Sequence, residues 1–139
     1  MTTTGRLEGE PRRFLEETRI AVLATINSDG TPQQSAIWYE LQGTTILMNT
    51  RRGRMKDRNL RRDSHCSLCV EDGYRYVTIR GTVTLIDDQE VAQADIKRLS
   101  ARYHGAQTAE RQAREQFSRE PRVTIRMTID RVSVYGFDQ

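Results

Sequence analysis

Seven basic residues crowd the stretch from Arg51 to Arg62: Arg51, Arg52, Arg54, Lys56, Arg58, Arg61 and Arg62, opposed by the single acid Asp57. This stretch carries +6 while the whole chain carries +3, so the remainder is mildly acidic. A concentrated cationic patch of this kind points to a localised anionic partner rather than to general basicity. Packed like charges repel, which favours an anion among them; a solvated cationic helix is the plainer reading. Arg54 and Lys56 are the foremost candidates, one offering a planar fork and the other a point charge. Two residues apart on a regular helix they would diverge by about 200°. They converge only if Arg54 sits at a loop-to-helix junction and Lys56 in the first turn, where unpaired amides and the helix dipole also favour an anion. Gly53 permits close backbone approach. Asn49, Thr50 and Asn59 can add hydrogen bonds.

Other chemistry is poorly supplied. Cys66 and Cys69 have C-x-x-C spacing, but no second pair exists, and His65 and His104 are too few and badly placed for a zinc site. The pair lies in a strand-like run, His65 to Glu71, where positions three apart face opposite sides. Two reduced, unconnected thiols are expected, and no metal site. Nucleic acid is the other anion to weigh. Aromatic residues make up only 6% of the chain, and no helix-turn-helix, RNA-recognition or zinc pattern appears, so the sequence argues against it.

Several elements must position the basic stretch. Glu10 to Thr18 reads as a short helix. Ile20, Val22, Ala24 and Ile26 alternate as a strand. Asn27 to Gly30 is a turn. Pro32 to Leu41 reads as a second strand, and Gln42-Gly43 as a tight hairpin onto Thr45 to Asn49, giving three consecutive antiparallel strands. Arg51 to Arg62 reads as a helix. His65 to Glu71 and a long strand containing Val77, Ile79, Val83 and Leu85 follow, with Gly81 at a bulge or bend. Asp87-Asp88 can cap a helix through Val91, Ala92, Ile96 and Leu99. A polar helix is expected over Thr108 to Ser118, then strands at Val123 to Ile129 and Val132 to Gly136. The order predicts a mainly β, antiparallel barrel with peripheral helices. At 139 residues one domain is expected, with 1–9 as a flexible N-terminus. No apolar run approaches membrane-spanning length, and Met1 to Arg6 lacks a signal-peptide core, so the chain reads as cytoplasmic.

The pattern resembles a known family. Ile20-Ala-Val-Leu-Ala-Thr-Ile-Asn-x-Asp-Gly-x-Pro-Gln33, Trp38-Tyr39, and Arg54-x-Lys56-x-x-Asn59-Leu60-Arg61-x-Asp63 are similar to the pyridoxamine 5′-phosphate oxidase-like split-barrel superfamily. So are Asp72-Gly-Tyr-x-Tyr76, Gly81-Thr-Val and Val134-Tyr135-Gly136. Each motif is loose, but their shared order over residues 10 to 137 is fairly specific. The deazaflavin (coenzyme F420)-dependent branch, with Arg-x-Lys-x-x-Asn-Leu after strand three, is the most similar. The resemblance implies a split β-barrel of Greek-key type and a homodimer with two cofactor sites at the interface. It implies that Arg54 and Lys56 grip a cofactor phosphate, with Gln33, Ser35, Asn49 and Thr50 along the ring or tail. Trp38 and the partner subunit's Tyr74 or Tyr76 would wall the pocket, although Trp38 suits plain core packing equally well. Arg51, Arg52 and Arg58 would suit the polyglutamate tail of coenzyme F420, and are also compatible with FMN. The implied activity is oxidation or reduction of a small organic molecule by hydride transfer at the cofactor ring. An FMN-dependent oxidoreductase and a non-catalytic carrier or sensor are the alternatives. No side chain is singled out as an acid or base.

Overall fold

Apolar alternation from Ala21 onward buries Ala21 and Leu23 and turns Val22 outward, the pattern of a strand lying over a core. Repeated along the chain, this pattern builds a sheet interrupted by helices. The computed structural model describes residues 2–137. In chain order the elements are β1 (Thr2–Thr4), α1 (Gly9–Glu16), β2 (Ala21–Ile26), β3 (Pro32–Ile37), β4 (Glu40–Gln42) and β5 (Thr45–Arg51). Next come α2 (Met55–Arg62), β6 (His65–Glu71), β7 (Tyr76–Ile86), α3 (Gln89–His104), α4 (Ala106–Glu115), a 3₁₀ turn (Phe117–Arg119) and β8 (Arg122–Tyr135). The sheet runs β3-β2-β6-β7-β8-β5-β4, with β1 beside β8, and all its pairings are antiparallel. The stretch expected as a flexible N-terminus contributes the short strand β1.

The expected second strand divides in two. β3 pairs with β2, whereas β4 pairs with β5 at the far end of the sheet, so the expected three-strand meander does not form. Only Trp38 and Tyr39 lie between β3 and β4. A link that short spans on the order of 10 Å. The sheet must therefore curl until its two edges meet, which makes it a split barrel with peripheral helices.

Tyr39 is the reason the chain leaves one edge for the other. Its side chain is fully buried, and its hydroxyl donates to the carbonyls of Leu15 (2.8 Å) and Glu17 (3.3 Å) at the end of α1. Its backbone, lacking a strand partner, is satisfied from α3. The Tyr39 N–H donates to the Tyr103 hydroxyl (3.1 Å), and its carbonyl accepts from Arg102 Nε (2.9 Å). Phe14, Leu23, Ile46, Leu68, Ile79 and Met127 fill the barrel.

Elsewhere the boundaries move for local reasons. α2 begins only at Met55, because Arg51 completes β5 opposite Arg122 and Gly53 turns the chain with φ +90°. The two expected C-terminal strands are one fourteen-residue strand, β8, with a bulge where Arg80 pairs Arg131 and Gly81 pairs Ile129. A Cβ at Gly81 would lie 1.9 Å from the Thr128 carbonyl oxygen, so the bend admits only glycine. Asp88 caps α3 as expected, accepting from the Glu90 N–H (2.9 Å). No helix among the described residues is long and apolar enough to cross a membrane.

Burial, reinforced by Tyr103, pushes the Tyr39 hydroxyl from 10.0 up to about 12. A folded pKa above the unfolded one contributes stability that is intact below pH 10 and lost as the pH rises towards 12. Urea midpoints measured from pH 8 to 12 should fall steeply above pH 10. Tyr39→Phe should flatten that fall while costing about 1 kcal/mol at neutral pH.

Candidate functional site

Where the sheet edges meet, they leave a cavity of about 270 Å³. Ala36, Ile37 and Trp38 line it from the end of β3, and Asn49, Thr50 and Arg51 from the end of β5. Ile96 of α3 and Phe117 add apolar surface, and Arg54, Lys56 and Arg122 bring charge.

The basic stretch builds this cavity's charged end by dividing its cations. Asp57, buried at 2% exposure, accepts from the Gly53 N–H (2.8 Å) and from Arg61 Nε (2.9 Å). Arg61 also grips both oxygens of Asp87, at 3.0 and 2.6 Å, and Arg52 lies 4.0 Å from the same carboxylate. Arg62 donates to the Ile26 carbonyl (2.5 Å) and to Asn59 Oδ1 (3.0 Å). Arg58 points to the Met55 sulfur (3.9 Å). Arg51, Arg54 and Lys56 have no carboxylate within 4.0 Å among the described residues, and all three line the cavity.

Arg54 occupies the N-cap position of α2 on extended backbone, and Lys56 lies one residue inside the helix. That is the junction geometry convergence requires. Burial lowers the Lys56 pKa, and the charges of Arg54 and Arg122 lower it further. The half-buried ammonium is thus held beside two other cations with no carboxylate of its own within 4.0 Å among the described residues.

Asn49 serves the cavity from behind. Its Nδ2 donates to the Ala92 carbonyl of α3 (2.9 Å), and its Oδ1 accepts from Arg122 Nε (3.0 Å). Thr50 is buried in the wall. Trp38 is half-buried. It lines the cavity, and it also stacks on Tyr103 (centroids 5.4 Å, 18° between planes) and meets His104 edge-on.

Five of the ten residues expected at the site lie apart from this cavity within one chain. Asn59 is buried and donates to Thr25 Oγ1 (3.1 Å) and Asn27 Oδ1 (2.9 Å), fastening α2 to β2. Gln33 shares a second hollow with Asn59, Met55, Arg58 and Arg62. Ser35 faces the protein interior, its Oγ sealed without a hydrogen-bond partner. Tyr74 is 86% exposed, and Tyr76 stacks on Tyr135 (5.4 Å) in another hollow beside Cys69. The sequence reading missed Arg122, Ile96 and Phe117. In the sequence Arg122 is one of the polar residues that alternate with Val123, Ile125, Met127 and Ile129. α3 packs over the start of β8 and buries both of its faces, which brings Arg122 inside.

Cys66 and Cys69 are free thiols, Cys66 buried and Cys69 half-buried on the opposite face of β6. Burial, with Asp130 nearby, pushes the Cys66 thiol up to about 12, so it is a poor nucleophile.

A curled antiparallel sheet whose edges meet at a charged, apolar-walled cavity defines a protein of the split β-barrel class. The model of the pyridoxamine 5′-phosphate oxidase family matches residues 7–136, and the chain belongs to that family. It is 26% identical over 134 residues to an F420H(2)-dependent biliverdin reductase of Mycobacterium tuberculosis (strain CDC 1551 / Oshkosh), covering 95% of this chain and 90% of that one. Among solved structures it is similar to an F420 reductase (27% identity, TM-score 0.74, 91% of this chain and 98% of that one). It is also similar to a conserved hypothetical protein of Mycobacterium tuberculosis (26% identity, TM-score 0.78, 93% of this chain and 85% of that one).

Asp57 holds the turn that presents Arg54. Asp57→Ala leaves the Gly53 N–H and one donor of Arg61 unpaired, and chemical denaturation should show a loss of about 1–3 kcal/mol. Asp57→Asn, which can still accept one hydrogen bond, should lose less.

Proposed function

We propose that this protein binds coenzyme F420 by its phosphate and is a deazaflavin-dependent reductase of a small organic substrate. The observation that carries the reading is the set of cations, Arg54 and Lys56 foremost, left without carboxylates at one end of a cavity whose other walls are Ala36, Ile37, Trp38, Ile96 and Phe117. A flat ring with an anionic tail needs both ends. Electrostatics favours a phosphate where like charges already converge, and the apolar walls favour a ring. Similarity to an F420 reductase and to an F420H(2)-dependent biliverdin reductase supports the deazaflavin over FMN.

When bound, the cofactor supplies the hydride chemistry itself. The chain's own residues bind, orient and exclude water. Arg54 and Lys56 hold the phosphate, with Arg51 beside them. Asn49 keeps the charged end attached to α3, and Trp38, braced by Tyr103, fixes one wall. Among the described residues, the ionisable ones lining the cavity are Arg51, Arg54, Lys56 and Arg122, and none of these is a carboxylate or imidazole base.

A homodimer belongs to the same reading. Ile20 (51% exposed) and Val22 (38%) leave apolar surface on the outer side of β2, next to Ala36 of the paired strand. The family resemblance supplies the rest of the reading: in such a dimer the partner subunit's Tyr74 or Tyr76 would wall the cavity.

Absorbance or fluorescence titration tests the reading. Coenzyme F420 should bind at micromolar concentration or tighter and displace FMN in competition. Arg54→Ala and Lys56→Ala should each weaken binding by about 1.5–3 kcal/mol without unfolding the protein. Unchanged dissociation constants would refute the phosphate assignment, and preferential binding of FMN would transfer the reading to an FMN-dependent oxidoreductase.

A further inference from the structure

The start of β8 carries a group that the motifs do not include. Arg122 is 8% exposed, stands opposite Arg51 in the β5–β8 ladder, and lines the cavity with Arg54 and Lys56. A buried guanidinium is costly unless its donors are met. Two sides of the fork are met within the protein. Nε donates to Asn49 Oδ1 (3.0 Å), and Nη1 donates to Glu120 Oε1 (2.9 Å). The plane packs 5.3 Å from the Phe117 ring centroid. Nη2 has no hydrogen-bond partner among the described residues. It is also not sealed, because Ser35 Oγ is the one such atom both buried and unpartnered among them.

We infer that Arg122 is a third ligand of the anion held by Arg54 and Lys56, presented as a rigid fork by Asn49 and Glu120 with Nη2 as the donor. The inference rests on the cofactor reading above and adds a residue to it from a distant part of the chain. Long cationic side chains lose conformational freedom when they grip a ligand. Arg54 is exposed and bears that cost on binding. Arg122 is already held at three points, so its donor is placed before the ligand arrives. Burial lowers the Arg122 pKa, and the charges of Arg54 and Arg51 lower it further, while Glu120 offsets one positive charge. A phosphate anion would relieve that repulsion.

The plainer role for Arg122 is structural, an ion pair tying β8 to the 3₁₀ turn. The two roles separate when ligands share a ring and differ in phosphate. FMN is paired with riboflavin, and coenzyme F420 with its phosphate-free deazariboflavin fragment. The ratio of dissociation constants measures the phosphate alone in the FMN pair and the phosphate with its polyglutamate tail in the coenzyme F420 pair; it is determined for the wild type, Arg122→Met and Arg122→Lys, with near-ultraviolet circular dichroism reporting the fold. Arg122→Met should lower the ratio about tenfold or more, leaving affinity for the phosphate-free ligand within about twofold. Arg122→Lys, which keeps charge but loses the fork, should give a smaller loss of the same kind. If Arg122→Met does not fold, the lysine variant decides. An unchanged ratio in a folded variant, or an equal loss for both members of a pair, overturns the inference. Arg54→Ala with Lys56→Ala is the control. If that variant also keeps the wild-type ratio, the cofactor reading itself fails; if it alone lowers the ratio, only the role of Arg122 falls.

Discussion

Two residues, Trp38 and Tyr39, carry the chain from one edge of the sheet to the other, and the rest of the architecture depends on that short crossing. β3 and β4 cannot be so close in sequence and so far apart in strand order unless the sheet rolls up. Rolling brings the ends of β3 and β5 together without pairing them, and the gap is the cavity. The same crossing would leave backbone groups unpaired inside the protein. Tyr103 and Arg102 of α3 meet them, and the buried Tyr39 hydroxyl ties the crossing to α1. The helical insertion between β7 and β8 therefore braces the cavity as well as covering it.

The cationic stretch works through a division of labour among like charges. Asp57 and Asp87 neutralise Arg61, with Arg52 alongside, and so fix α2 and the Gly53 turn. The carboxylates are used up on the frame. Arg51, Arg54 and Lys56 are left facing a cavity with nothing to neutralise them, and Arg122 joins them with Glu120 as its counterion. An arrangement in which the frame is neutral and the mouth keeps a net positive charge favours an anion at the mouth, because Asp57, Asp87 and Glu120 each already hold an arginine.

Much of this was legible in the sequence. The charge imbalance of residues 51–62 located the cavity's charged end, and helical geometry showed that Arg54 and Lys56 converge only at a junction, which is where both lie. Alternation gave β6 to the residue, and Gly81 marked the bend of β7. What failed was long-range. Pro32 to Leu41 alternates like a single strand, and nothing local reveals that Tyr39 is drawn inward to α1. Arg122 carries no signal in the sequence because burial of its face depends on α3, an element contributed by a separate stretch of chain. Asn59 lies in the same motif as Lys56, yet helix rotation turns it towards Thr25 and Asn27 instead of the cavity. Residues that act through packing with distant elements leave no spacing signal.

The central claim is that the cations left free at the meeting of the sheet edges hold a phosphate. A crystal structure of the protein with coenzyme F420, or with FMN if that binds more tightly, tests it most directly. The account predicts phosphate oxygens within hydrogen-bonding distance of Arg54 and Lys56, with the ring against Trp38. A phosphate seated instead in the hollow between Arg58 and Arg62, or a ring bound elsewhere with Arg54 and Lys56 in solvent, would contradict it.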